Sequence, residues 1–235
     1  MSIVERIPGD PALLLLCDHA ANAVPADIDL GIAPALLDRH IAVDIGAAPL
    51  TRALAAATGG GAMLATVSRL VADLNRSPDD PAAIPELSDG HVIPGNVGID
   101  RADRIARYHA PYHDAVAAAV ARRPALIVAV HSFTARLESG DAPARRWEVG
   151  ILSNRDRRAA DPAIAFLASR GLIVGDNEPY SGRLLNATLD RHAEANGIAS
   201  ISVEVRNDLI AQPGGVARWS LIVAEMIAHV RNRLA

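Results

Sequence analysis

Lysine is absent from this chain of 235 residues: its 23 lysine-plus-arginine positions are all arginines. Cysteine occurs once, at Cys17. Without lysine there is no Schiff-base nucleophile, no attachment point for pyridoxal phosphate and no phosphate-loop lysine. One cysteine excludes an internal disulfide, a CxxC redox pair and any multi-cysteine zinc site. Aromatics make up only 3% of the chain, so its 50% hydrophobic content is mainly alanine and aliphatic side chains. A net charge of -4 carries no electrostatic footprint for nucleic acid. No apolar run approaches the ~20 residues that cross a bilayer. The opening residues Met1 to Asp10 lack the apolar stretch and cleavage site of a secretion signal, so the expected location is the cytoplasm. Electrophilic chemistry is left to arginine, or to a metal held by His, Asp, Glu or Asn.

What is present has a regular order. Short continuous apolar runs, as in strands buried on both faces, occur at 12–17, 62–67, 125–130, 148–152, 172–174 and 199–205. Helical patterns lie between them at about 34–57, 100–123, 160–170, 183–196 and 214–234. In the second of these, Ile105, Tyr108, Tyr112, Ala115, Val116, Ala119 and Val120 share one face. Alternating strands and helices predict an α/β fold: a mostly parallel sheet with helices on both faces, three layers in all. No internal repeat or composition break marks a linker, so residues 1–235 are expected to form a single domain. Residues 77–98, rich in Pro, Asp and Gly, read as the one long loop.

In such sheets the site lies beyond the carboxyl ends of the strands. Asp18-His19-Ala20-Ala21-Asn22 follows the first run. Ser68-Arg69 and then Asp73-Leu74-Asn75-Arg76 follow the second. His131-Ser132-Phe133 follows the third, and Glu204-Val205-Arg206-Asn207-Asp208 closes the last. His19 and His131 hold matching places and are candidate metal ligands; imidazoles with a carboxylate suit zinc. Asp44 is the preferred third ligand, one turn after His40 on an expected helical face, with Asn22 as its competitor. Asp44 could instead orient a ligating histidine, a role also open to Asp73. Glu204 sits in an apolar strand where a carboxylate is costly unless paired or functional. It is the candidate general base, with an ion pair to nearby Arg206 as the alternative. Arg69, with Asn75 and Arg76, forms a donor set able to grip a carboxylate or polarise a carbonyl. Tyr180, in a Pro-Tyr-Ser-Gly turn, could close over a substrate or simply pack. His109 and His113 have metal-pair spacing, but Pro111 lies between them and a structural or rim role is expected. Ser132 beside His131 makes no triad without an orienting Asp. Cys17 is expected to be an inert core thiol.

Together these segments resemble the N-formylglutamate amidohydrolase family. The matching pieces are Asp18 to Asn22 with Pro25, His40 to Gly46, Ser68 to Arg76, Tyr108 to His113, His131 to Phe133, Pro179 to Gly182, and Glu204 to Asp208. More distantly, the family is similar to the zinc carboxypeptidases. The resemblance implies a zinc-carboxypeptidase-like fold and one zinc ion on His19 and His131. It also implies that Asn75 and Arg76 bind a substrate carboxylate and that Glu204 is the general base. Carboxypeptidases carry a ligating Glu three residues after the first His, and here that position is Asn22. Asp44 would restore the missing carboxylate. The implied activity is zinc-dependent hydrolysis of an N-acyl amino acid, foremost N-formyl-L-glutamate to formate and glutamate. Zinc and Arg69 would stabilise the oxyanion, and Tyr180 would join the substrate site. The partner expected is a small molecule, with no nucleic acid and no membrane. A different acyl amino acid or small peptide, a non-catalytic carboxylate-binding relative, and a remote Ser132 esterase are the alternatives.

Overall fold

The computed structural model describes residues 2–141 and 143–235. Apolar strands assemble one seven-stranded sheet, in the order β1-β3-β2-β6-β9-β7-β8. The strands are β1 (Val4–Ile7), β2 (Asp10–Cys17), β3 (Gly60–Ala65), β6 (Leu126–Phe133), β7 (Val149–Leu152), β8 (Val174–Asp176) and β9 (Ala199–Arg206). Strands β3, β2, β6 and β9 run parallel. At one edge β1 pairs antiparallel with β3, and at the other β7 runs antiparallel to β9 and carries β8 parallel to itself. A separate two-stranded hairpin joins β4 (Leu87–Ser88) to β5 (His91–Val92). The sheet is therefore mixed and mostly parallel, as the order of apolar runs and helices predicts.

Alternation along the strands sorts side chains onto two faces. Leu13, Leu15, Val128, Val130, Ile201 and Val203 pack under α1 (Ala47–Thr58), α4 (Ala160–Ser169) and α6 (Pro213–Leu234). Leu14, Leu16, Ile127 and Ala129 pack under α3 (Ala110–Val120) and α5 (Ala187–His192). A short α2 (Arg101–Arg104) leads through a π-helical turn, Ile105–His109, into α3. Helix α6 shows why it docks: Trp219, Val223, Met226, Ile227 and Val230 form one buried stripe. No helix among the described residues is long and apolar enough to cross a membrane.

Two expected helices are shorter than their composition implies. The 34–57 segment is helical only as a 3-10 turn at Pro34–Asp38 and as α1. Gly46 breaks it in the left-handed region, at φ 82°, where a Cβ would lie 2.3 Å from the Ile210 carbonyl oxygen. Asp44 therefore sits in a turn, not on a helical face with His40. The 183–196 segment reduces to α5 and a 3-10 turn at Glu194–Asn196. The 77–98 loop carries the β4–β5 hairpin, and a second long irregular stretch follows β6.

Candidate active site

At the carboxyl ends of β2, β6 and β9 lies a cavity of about 130 Å³. His19, Asp44, Arg69 and His131 border it on one side, and Asn75, Arg76, Tyr180 and Glu204 border the rest. All eight residues singled out above thus meet at one place. His131 and Glu204 are register partners on neighbouring parallel strands, and both share parity with the strand residues that face α3 and α5. The sheet itself holds them side by side.

His19 lies two residues beyond β2. Its backbone carbonyl accepts from the Asp44 N–H at 3.1 Å, which pins the 39–46 turn against the strand end. Ser68 donates its hydroxyl to the Ala42 carbonyl at 2.8 Å and fixes the same turn. Asp44 Oδ2 then lies 3.4 Å from His19 Nδ1 and 2.9 Å from His131 Nδ1, and it accepts from the Ser132 N–H at 3.3 Å. The three ligand atoms of His19, Asp44 and His131 all fall within 4.8 Å of one another, and all three residues are buried. Asn22 instead donates its carboxamide to Asp38 at 2.9 Å.

The far nitrogen of each ring faces another carboxylate. His19 Nε2 is 2.8 Å from Asp73 Oδ1, and His131 Nε2 is 3.6 Å from Asp18 Oδ2. A carboxylate only accepts, so each of these contacts is satisfied when the imidazole nitrogen facing it carries hydrogen. Two imidazole nitrogens converging on one carboxylate oxygen repel it unless a cation, proton or metal, lies among them. Burial opposes charge on both rings, and Arg69 opposes it on His19, yet the facing carboxylates raise both imidazole pKa values above the ordinary range. With both imidazoles neutral, the buried carboxylates of Asp18, Asp44 and Asp73 outnumber Arg69 by two charges, a deficit that two imidazole protons or one divalent ion would fill. Two imidazoles and a carboxylate, each imidazole backed by a second carboxylate, are a donor set that suits zinc.

Arg69 bonds Asp44 through Nη1 at 3.2 Å and Asp73 through Nη2 at 2.8 Å. Among the described residues, Arg76 has no carboxylate nearer than Asp73, at 3.9 Å, and is the freer cation at the cavity. Asn75 accepts from the Thr188 N–H at 3.1 Å, which leaves its NH₂ as the end available to the cavity. Glu204 is only 6% exposed and takes no part in an ion pair with Arg206, which binds Asp208 at 2.7 Å. Burial raises the Glu204 carboxyl to about 7, against the opposing pull of His131; Asp44 raises it further. A carboxyl titrating there can take and return a proton near neutrality.

Tyr180 stands on a loop after β8 that approaches the sheet closely. A Cβ on Gly150 would lie 2.2 Å from the Glu178 carbonyl oxygen, and one on Gly175 would lie 2.4 Å from it. Only glycines allow this docking. Tyr180 accepts from Arg145 Nη1 at 2.9 Å, and the Arg145 guanidinium lies 4.7 Å from the ring centroid.

Other expectations are revised. His40 borders the cavity but pairs with Asp89 at 2.8 Å, away from the His19 cluster. Asp89 also accepts from the Glu138 and Ser139 amides and the Ser139 hydroxyl, so this rim cluster is a loop clasp. Ser132 donates its hydroxyl to the Ile45 carbonyl at 2.8 Å and serves the turn, which removes the basis for an esterase. Cys17 is buried, and burial raises its thiol well above the ordinary range. Asp18, Tyr112 and Arg145 carried no assigned role in the sequence. Asp18 accepts from the Tyr112 hydroxyl, a contact between residues 94 positions apart that no local pattern signals.

A mixed sheet with a His-Asp-His cluster and a buried carboxyl at its strand ends is the architecture of a hydrolase. The chain belongs to the N-formylglutamate amidohydrolase family, whose model matches residues 11–211. A gene product of Agrobacterium tumefaciens superimposes with a TM-score of 0.92 at 32% identity, over 99% of this chain and 96% of that one. The N-formylglutamate amidohydrolase from Ralstonia eutropha JMP134 gives a TM-score of 0.71 at 21% identity, over 99% and 97%. A bacteriophage poly-gamma-glutamate hydrolase shares the fold at a TM-score of 0.51 and 12% identity, over 97% and 87%. No curated protein sequence matches the chain.

Proposed function

We propose that this amidohydrolase is metal-dependent and cleaves the amide bond of an N-acyl amino acid, foremost N-formyl-L-glutamate, to formate and glutamate. The observation that carries the reading is the convergence of His19 Nδ1, His131 Nδ1 and an Asp44 carboxylate oxygen beside buried Glu204. His19, Asp44 and His131 would hold one divalent ion, with zinc the best match to the donors. When bound, the ion supplies Lewis acidity, which lowers the pKa of water and polarises a carbonyl. Asp73 and Asp18 orient the two imidazoles from behind. Glu204 takes a proton from the attacking water and returns it to the leaving amine. Arg69, held by Asp44 and Asp73, lies at the cavity edge where a developing oxyanion needs a donor. Asn75 and Arg76 bind the substrate carboxylate, and Tyr180 closes the opposite wall. The named substrate rests on the family and on the R. eutropha relative.

The test is formate release from N-formylglutamate by zinc-loaded and chelated protein, alongside a panel of acyl amino acids. Turnover by loaded protein alone supports the reading. Release unaffected by chelation overturns the metal, and turnover of another panel member in place of N-formylglutamate overturns the named substrate.

A further inference from the structure

Three buried histidines lie behind the site and have no part in the chemistry above. His109 and His113 sit one turn apart at the start of α3, and His192 closes α5; none is more than 3% exposed. His113 Nε2 is 2.9 Å from the Leu74 carbonyl oxygen, and His109 Nε2 is 2.9 Å from the Arg76 carbonyl oxygen. A carbonyl only accepts, so both nitrogens carry hydrogen. His113 Nδ1 lies 2.8 Å from His192 Nε2. With its proton on Nε2, a neutral His113 accepts at Nδ1, and His192 has to donate. One proton arrangement therefore satisfies all three contacts: neutral rings, each protonated on Nε2.

Helix α5 grips the same peptide a second time. Thr188, one turn before His192, donates its N–H to Asn75 Oδ1 at 3.1 Å and its hydroxyl to the Leu74 carbonyl at 3.1 Å. The i,i+4 spacing of 109 with 113, and of 188 with 192, puts each pair on one helical face. The bonds from His109, His113 and Thr188 all land on Leu74, Asn75 or Arg76. Leu74 and Arg76 are held by their carbonyls and Asn75 by its carboxamide oxygen, while Asn75 and Arg76 face the cavity.

We propose that His113, with its proton placed by the Leu74 carbonyl and supported by His192, is a positioning residue that sets the direction of Asn75 and Arg76 toward the substrate carboxylate. This rests on the assignment of Asn75 and Arg76 as the carboxylate site. A free neutral imidazole exchanges between tautomers, and the Nδ1–H form of His113 would leave the Leu74 carbonyl without this donor. The Leu74 carbonyl at Nε2 and a donating His192 at Nδ1 together favour the other form. Burial favours the uncharged rings, bringing His113 to about 3 and His192 to about 4 and lowering His109 as well. Arg191 acts in the same direction on all three, and Asp18 opposes it.

The test compares His113→Leu and His192→Leu with His113→Gln, whose amide nitrogen can replace the Nε2 donor. Three quantities are read: KM and kcat for N-formylglutamate, bound zinc, and hydrogen exchange of the peptide spanning residues 73–77. Both leucine variants should raise KM about tenfold, the scale of one lost buried hydrogen bond, and speed exchange of that peptide. Zinc content and kcat should hold. His113→Gln should restore both KM and exchange. Equal impairment of His113→Leu and His113→Gln, or unchanged KM in folded leucine variants, overturns the proposal. If His113→Leu does not fold, His192→Leu decides, because it keeps His113 and removes only the donor that supports it. If the wild type turns over no acyl amino acid, the function assigned above fails. The exchange comparison still decides this proposal: unchanged exchange in His192→Leu refutes it, and faster exchange there with normal exchange in His113→Gln supports it.

Discussion

Replacing His192 with glutamine should alter how the stability of this protein depends on pH. His192 and His113 are buried and neutral, and burial brings their folded-state pKa values to about 4 and about 3, against an ordinary 6.5. When the folded pKa lies below the unfolded one, the native state binds fewer protons. Stability from these rings is then intact above 6.5 and is lost as pH falls from there toward the folded values. At about pH 5 each ring costs about 2 kcal/mol, and the pair costs about 4 kcal/mol. That is a large share of the roughly 5–15 kcal/mol that holds a typical domain together. His192→Gln keeps a donor for His113 Nδ1 and removes one of the two titrating groups. The stability gap between wild type and variant should therefore shift by about 2 kcal/mol between about pH 7.5 and pH 5, in the variant's favour. Guanidinium unfolding followed by the fluorescence of buried Trp219 measures it, with equal zinc saturation in both proteins so that metal linkage cancels. A gap constant with pH would refute the reasoning, because His192 would then charge as readily folded as unfolded.

Glu204→Gln should lower kcat by about 10²- to 10⁴-fold while bound zinc, read by elemental mass spectrometry, stays at the wild-type level. In the wild type the acid limb of kcat/KM should fall near pH 7, where the Glu204 carboxyl titrates, with activity lost below it. Chelation should abolish turnover and lower Tm, and zinc at about 100 times its Kd should restore about 2.7 kcal/mol of stability. Gly150→Ala sets a Cβ against the Glu178 carbonyl. The loop bearing Tyr180 must then move, with a loss of about 1–3 kcal/mol in denaturant unfolding and a higher KM. Tyr112→Phe removes the hydroxyl that Asp18 accepts from, and should cost about 1–3 kcal/mol by the same measurement.

The central strands are legible because a strand buried on both faces favours an unbroken apolar run, which β2 and β6 have, while β9 alternates Ile201, Val203 and Val205 with small or polar residues. Edge strand β1, Val-Glu-Arg-Ile, has half-exposed charged residues and no such signal. The residues around Asp44 favour a helix shared with His40, but the chain is not helical there. The real constraint is tertiary, since Gly46 turns left-handed against Ile210 and the Asp44 N–H bonds to the His19 carbonyl. Arg145 lies in an irregular stretch without periodicity, so nothing local ties it to Tyr180.

Composition limits the chemistry open to this protein. With no lysine and one buried cysteine, it left arginine and a His/Asp/Glu-held metal, and strand periodicity sent those residue types to one end of a parallel sheet. Which of them meet depends on contacts between distant segments. Asp44, Asp73 and Asp18 lie 25, 54 and 113 residues from the imidazoles they face. The burial that sets their charges, and that raises Glu204 to about 7, does not exist until the sheet and its helices close around them.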